Sequence, residues 1–282
     1  MQTPFYYYDR DTNFGDLANP LLMERVFGLP VVHASKYRAA LCGVGSVLKH
    51  FICRRGNLVK RLRGTLTAEC VVWSAGFIAA PPPGRIFFRA MNFQALRGKL
   101  SRGHAERITG TRLDVPLGDG GLLYPLLLER RPPVTHAVGL IPHVSERDLP
   151  VFAALRARIP RSTLIDLRAE PLTVLRQIAA CETILSSALH GLIAADGLGI
   201  PNRRLIVSDR LIGGDFKFND YYSVYTLSAP PAPIRLNEDN LAAAGDFFAT
   251  ISDDYQIAPT EVLKIQETLR AVFVHRILPS FR

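Results

Sequence analysis

Short apolar runs alternate with longer mixed stretches along this chain, and the alternation predicts an α/β protein. Phe5–Tyr8, Val31–Val32, Ala39–Cys42, Val71–Trp73 and Phe93–Leu96 have strand length and are rich in β-branched and aromatic residues. The last three run into turns carrying Gly43, Gly76 and Gly98. Leu17, Leu21, Met23 and Val26 predict a core-facing helix that Gly28 and Pro30 end, with Asp16 placed as its N-cap. A further helix runs from about Ser101 to Ile108. Leu117–Gly121 is a glycine-rich turn, and Glu129–Pro133 has the character of a linker.

The second half repeats the rhythm more plainly. Ala137–Ile141, Thr163–Ile165, Thr183–Leu185 and Arg204–Val207 predict strands. Val151–Ile159, Pro171 to about Cys181, and Leu189–Leu198 predict the helices between them. Gly213–Tyr222 reads as a polar and aromatic loop, and Leu241–Ile251 and Glu261–Ile277 as closing helices. Strands spaced by helices imply parallel sheets with right-handed crossovers, which bind ligands at the strands' carboxyl ends. The linker divides the chain into residues 1–132 and 133–282.

The stretch Cys181–Pro201 concentrates the chemistry. A short strand runs into Ser186-Ser187, and a helix follows with His190 on its first turn. Unpaired N–H groups and the dipole favour an anion at a helix start, and a histidine there exchanges protons near neutral pH. Acid–base work on a phosphorylated or carboxylated small molecule is one reading; a histidine that merely satisfies a helix end is the other. Gly43-Val44-Gly45 lacks the third glycine of a dinucleotide fingerprint.

Composition narrows the class. With 48% hydrophobic and 21% charged residues the 282-residue chain reads as globular, and no apolar run reaches membrane-span length. The tyrosine-rich start has no signal-peptide core, so a cytoplasmic location is expected. Cys42, Cys53, Cys70 and Cys181 show no Cys-x-x-Cys spacing, so neither zinc site nor disulfide framework is indicated. Residues 1–132 hold 19 Lys+Arg against 9 Asp+Glu, a net of +10, while the remainder holds 15 against 16, a net of −1. Arg54, Arg55, Lys60, Arg61 and Arg63 cluster among Phe51, Ile52, Leu58, Val59 and Leu62, with no acidic residue between Glu24 and Glu69. Such a run suits nucleic acid, an anionic membrane surface, or plain solvation.

An ordered set of motifs adds a family. Asn13-Phe-Gly-Asp16, Gly43-Val-Gly-Ser46, Val72-Trp-Ser-Ala-Gly-Phe77, Leu96-Arg-Gly-Lys-Leu-Ser101, Gly118-Asp119 with Leu122-Leu123, and Ile141-Pro-His143 come first along the chain. Asp166-Leu-Arg168, Ser186-Ser-Ala-Leu-His-Gly191, Gly199-Ile-Pro201 and Phe216-Lys-Phe-Asn-Asp-Tyr-Tyr222 follow. In this order the chain resembles the polysaccharide pyruvyl transferases, most of all the ketal-forming enzymes of xanthan and succinoglycan type. The resemblance implies two Rossmann-like domains facing a cleft, similar to the GT-B fold. It implies phosphoenolpyruvate as donor and a sugar of a lipid-linked exopolysaccharide repeat as acceptor. The product is a cyclic pyruvate ketal and phosphate, and the chemistry needs no metal or redox cofactor. No nucleic-acid partner is expected, and the basic stretch from Lys49 to Arg63 suggests peripheral contact with an anionic membrane.

The same resemblance suggests roles. His190 is first choice as general acid and His143 second; Asp16 or Asp119 takes the sugar proton. Arg97, Arg168, Lys217, Ser186, Ser187 and the helix start at Gly191 would bind the donor. Asn13, Asp16, Ser46, Tyr221 and Tyr222 would bind the acceptor. Many members carry an arginine two residues before the motif histidine, where this chain has Ala188. The rival is a sugar-nucleotide glycosyltransferase on the same fold, for which Asp9-Arg10-Asp11 supplies an Asp-x-Asp. A third reading is a non-catalytic assembly protein docked on lipid through the basic half.

Overall fold

A computed structural model describes residues 2–9, 11–236 and 251–282. The expected helix at Leu241–Ile251 lies, up to residue 250, outside the described residues. Two five-stranded parallel sheets carry the fold. The first is built from β1 (Thr3–Tyr6), β2 (Val31–His33), β3 (Leu41–Cys42), β5 (Cys70–Ala75) and β7 (Met91–Leu96), in the order β2-β1-β3-β5-β7. The second uses β8 (His136–Ile141), β9 (Ser162–Leu164), β10 (Cys181–Ser186), β11 (Asn202–Ile206) and β12 (Ile234–Arg235), in the order β12-β11-β10-β8-β9. Numbered within each sheet, both orders are 2-1-3-4-5. Each sheet therefore reverses direction once, between its first and third strands, and a crevice opens there at the carboxyl ends. β4 (Ile52–Arg54) and β6 (Arg85–Phe87) form a separate antiparallel pair.

The crossovers are helical. They include α1 (Phe14–Leu21, continued to Val26), α2 (Leu58–Thr65), α3 (Lys99–Thr109), α4 (Pro150–Arg158), α5 (Pro171–Ala179) and α6 (Leu189–Gly197). A 3₁₀ helix spans Gly120–Leu127. α7 (Phe216–Tyr222) replaces the expected loop, and α8 (Pro259–Val272) continues to Ile277. At seven residues α7 is too short to be stable alone. Asp220 secures it: its carboxylate accepts from the Ser101 backbone N–H at 2.7 Å and so caps α3, which has only Gly98 at its own N-cap.

One buried cluster joins the two halves. Phe5, Phe14, Leu22 and Trp73 share it with Ile141, Ile165, Leu175 and Phe273. The C-terminal helix returns to the first sheet, where Phe273 stacks on Phe27 at 3.9 Å and Trp73 Nε1 donates to the Leu269 carbonyl at 3.2 Å. All four cysteines are free and buried. No helix among the described residues is long and apolar enough to cross a membrane.

Candidate functional site

Both crevices open on one cavity of about 450 Å³. The loops after β1 and β3 contribute Tyr8, Asp11, Asn13, Asp16, Ser46 and Lys49. Those after β8, β10 and β11 contribute His143, Ala188, His190, Arg210 and Lys217. Coincident switch points explain why polar residues far apart in sequence face one another.

The first wall is the start of α1. Asn13, not Asp16, is the N-cap, with extended φ −144° and ψ 125°. The helix opens there because the Phe14 N–H is taken by the Leu167 carbonyl of the second half at 2.7 Å. Asp16 thus falls on the first turn, where its carboxylate accepts from Asn13 Nδ2 at 3.0 Å. It is 8% exposed, and burial lifts its pKa to about 7 against the opposing pull of Asn13, Lys217 and Lys49. Asn19, one turn on, donates to the Gly15, Asp16 and Val44 carbonyls and holds α1 against the Gly43–Ser46 loop. Tyr124 supports the same turn by donating to the Gly15 carbonyl at 2.9 Å.

The second wall is the start of α6. Its N-cap is Ala188, which supplies no side-chain cap, so the first-turn N–H groups stay available at the cavity. His190 lies over the backbone of Gly15: a Cβ at Gly15 would fall 1.5 Å from His190 Nδ1. This contact accounts for the glycine of the Asn-Phe-Gly-Asp motif. Nε2 of His190 is buried without a hydrogen-bond partner, as is Oδ1 of Asn13 across the cavity. Burial, then the charges of Lys217 and Arg97, lower the His190 pKa to about 3. His143 falls to about 4, mainly through burial and then Lys217. Its Nδ1 accepts from the Ser145 N–H at 3.2 Å, so the proton of the neutral ring sits on Nε2. Lys217, 8% exposed, is lowered to about 8 by burial and by Arg97 and Arg204.

Gly15→Ala should therefore displace the His190 ring and cut turnover by ~10²-fold, as ångström-scale misplacement of a reacting group does. Steady-state kinetics beside a thermal melt check it: wild-type turnover in a folded variant would show that the ring position does not matter.

Other predicted site residues lie outside the cavity. Arg97 is fully buried; Nε pairs with Asp220 Oδ2 at 2.9 Å, Nη1 donates to Ser46 Oγ at 2.9 Å, and Nη2 reaches the Phe77 carbonyl. Its donors are spent on joining three of the motifs. Asp119 is buried, caps the 3₁₀ helix through the Gly121 N–H at 2.9 Å, and has its pKa raised by burial to about 6. Ser186 Oγ bonds the Ile141 and Ala188 carbonyls, and Ser187 Oγ accepts from the His143 N–H at 2.8 Å, so both brace the turn from within. A Cβ at Gly191 would meet Ser186 Oγ at 2.5 Å, which makes that glycine a packing requirement. Arg168 is exposed and pairs with Asp166 at 3.4 Å. Tyr221 donates to Asp196 at 2.6 Å inside the core, and Tyr222 packs beside it. Of the Asp-x-Asp pair, Asp9 faces His33 at 3.4 Å while Asp11 lines the cavity. Tyr8, Lys49 and Arg210 escaped the sequence reading because nothing in their local pattern marks a ligand site.

Residues 135–209 match the family model described as polysaccharide pyruvyl transferase. That segment is similar to the polysaccharide pyruvyl transferase family. The matched segment spans β8 to just beyond β11 and contains His143 and His190. An uncharacterized protein, L143 of Acanthamoeba polyphaga mimivirus, is 25% identical over 224 residues, covering 78% of this chain and 73% of its own. The family by its description transfers pyruvyl groups to polysaccharide.

Proposed function

We propose that this protein moves pyruvate from phosphoenolpyruvate to a sugar of a lipid-linked exopolysaccharide repeat, forming a cyclic ketal and releasing phosphate. In this reading residues 1–132 and 133–282 act as two Rossmann-like domains arranged as in GT-B enzymes, with the acceptor on the first and the donor on the second. One observation carries it: a basic, proton-bearing wall from α6 and α7 faces a buried carboxylate on α1 across one cavity.

The donor's phosphate and carboxylate seek cations and N–H groups. Lys217, Lys49, Arg210 and the uncapped start of α6 line the cavity and supply them, standing in for the arginine absent at Ala188. Protonation of the donor's methylene carbon makes its C2 electrophilic, and a sugar hydroxyl adds there. A second hydroxyl of the same sugar then displaces phosphate and closes the ketal. His190 gives the proton to carbon, and Asp16 takes the proton of the first hydroxyl; the second leaves with phosphate. Asn13 and Ser46 position the sugar from the α1 side. His143 is the alternative acid.

Asp16 acts when ionised, above its pKa of about 7, and Lys217 holds the anion when protonated, below about 8. Relative to Asp16→Asn, which should lose most of the rate, wild-type kcat/KM should thus rise with pH up to about 7, and the fall near 8 should be absent from Lys217→Met. Variant-to-wild-type ratios flat across both values would overturn the two assignments.

The direct test is phosphate release from phosphoenolpyruvate with defined lipid-linked oligosaccharides, with UDP- and GDP-sugars as rival donors. Activity should persist in EDTA, since among the described residues no cluster of three or more His, Cys, Asp or Glu side chains could hold a metal. Loss in EDTA restored by a divalent cation, or turnover of a sugar nucleotide, would favour a glycosyltransferase.

A further inference from the structure

A second cavity, of about 560 Å³, opens at the amino ends of β3, β5 and β7, the edge of the first sheet opposite the crevice. Arg38, Arg63, Leu66 and Arg89 line it. Arg89 is only 6% exposed; it donates to the Lys36 carbonyl at 2.9 Å and to the Ala68 carbonyl, and its Nε is buried without a partner. Among the described residues no carboxylate pairs with any of these three arginines. A cation buried on carbonyls alone keeps its charge uncompensated and favours an incoming anion.

α2 runs beside this cavity with its apolar side outward. Leu58, Val59, Leu62 and Leu66 are 69%, 65%, 65% and 81% exposed. Leu58, Leu62 and Leu66 are spaced by four and form one line on the surface, and Leu66 also lines the cavity. Gly64 forces this orientation: a Cβ there would lie 1.7 Å from the Phe88 carbonyl oxygen, so the helix seats its smallest residue inward. Arg61 and Arg63 interleave with the leucines, and no acidic residue lies between Glu24 and Glu69.

We propose that α2 and the Arg38–Arg63–Arg89 cavity form a docking site for an anionic phospholipid surface. The leucines enter the acyl boundary and the arginines take headgroup phosphates. Nucleic acid would answer the cations but leave the leucines in water. A second copy of this chain would bring the same positive face and be repelled. The inference does not rest on pyruvyl transfer, and its test contains no donor or acceptor.

Sedimentation with phosphatidylcholine vesicles, with or without about a third phosphatidylglycerol, tests it. Wild type should bind the anionic vesicles and not the neutral ones, and added salt should weaken binding roughly tenfold or more. Leu58→Ser/Leu62→Ser/Leu66→Ser and Arg38→Glu/Arg63→Glu should each lower it about tenfold or more. Both alter exposed side chains, so melting should match wild type. Equal binding to neutral vesicles, wild-type binding by either variant, or inorganic phosphate binding that only the Arg38→Glu/Arg63→Glu variant loses, without any loss of vesicle binding, would overturn the proposal. So would a wild-type dimer that the leucine variant splits and that ignores vesicles.

Discussion

His190→Ala should lower turnover by ~10²–10⁴ while donor affinity falls far less, as expected when a general acid is removed and the anion's other contacts remain. In the unliganded protein His190 is neutral at pH 7, because burial beside Lys217 and Arg97 lowers its pKa to about 3. An acid role requires the donor to bring the proton's counter-charge. A bound phosphate and carboxylate raise the pKa of a neighbouring imidazole. Donor binding should then take up a proton, and affinity should weaken as pH rises. Calorimetry in buffers of different ionisation enthalpy measures that uptake. Reaction in deuterated water, followed by label in the transferred methyl group, separates the roles. A variant that binds phosphoenolpyruvate but neither exchanges nor transfers supports the acid. An affinity loss equal to the turnover loss would make His190 a phosphate ligand, and near-normal turnover would move the role to His143.

Asp220→Asn should be the most destabilising single change near the site. Asp220 and Arg97 are fully buried and paired at 2.9 Å, and Asp220 also receives both the N–H and hydroxyl of Ser101. Removing one member of a buried ion pair strands the other charge, at a cost of ~3–5 kcal/mol. For a chain of this size that corresponds to a fall in Tm of about 5–10 °C. Asp220→Leu/Arg97→Met removes both charges and should recover part of the loss. Thermal melts of the single and double variants decide it: a single variant melting at the wild-type temperature would show that the pair contributes nothing. Because α7 also presents Lys217, the single variant should lose donor affinity as well.

The local pattern alone determined the βα rhythm, the parallel sheets and the strand–turn–helix unit around His190. Those features depend on short-range preferences: β-branched runs, Pro171 at a helix start, Gly199 and Pro201 after a helix end. The motif order likewise pointed to the family that residues 135–209 match. Roles within the motifs were another matter. Arg97, Ser186, Ser187 and Asp119 carry site-like chemistry, yet tertiary contacts turn them inward to satisfy buried partners. Asp16 reads as a cap until the Leu167 carbonyl starts the helix earlier and moves it onto the first turn. α7 reads as a loop because seven residues give little helical signal, and its stability comes from Asp220 capping a helix 119 residues away in sequence. Only the tertiary structure brings two switch points onto one cavity, because strand order is fixed by pairing between segments that no local pattern relates.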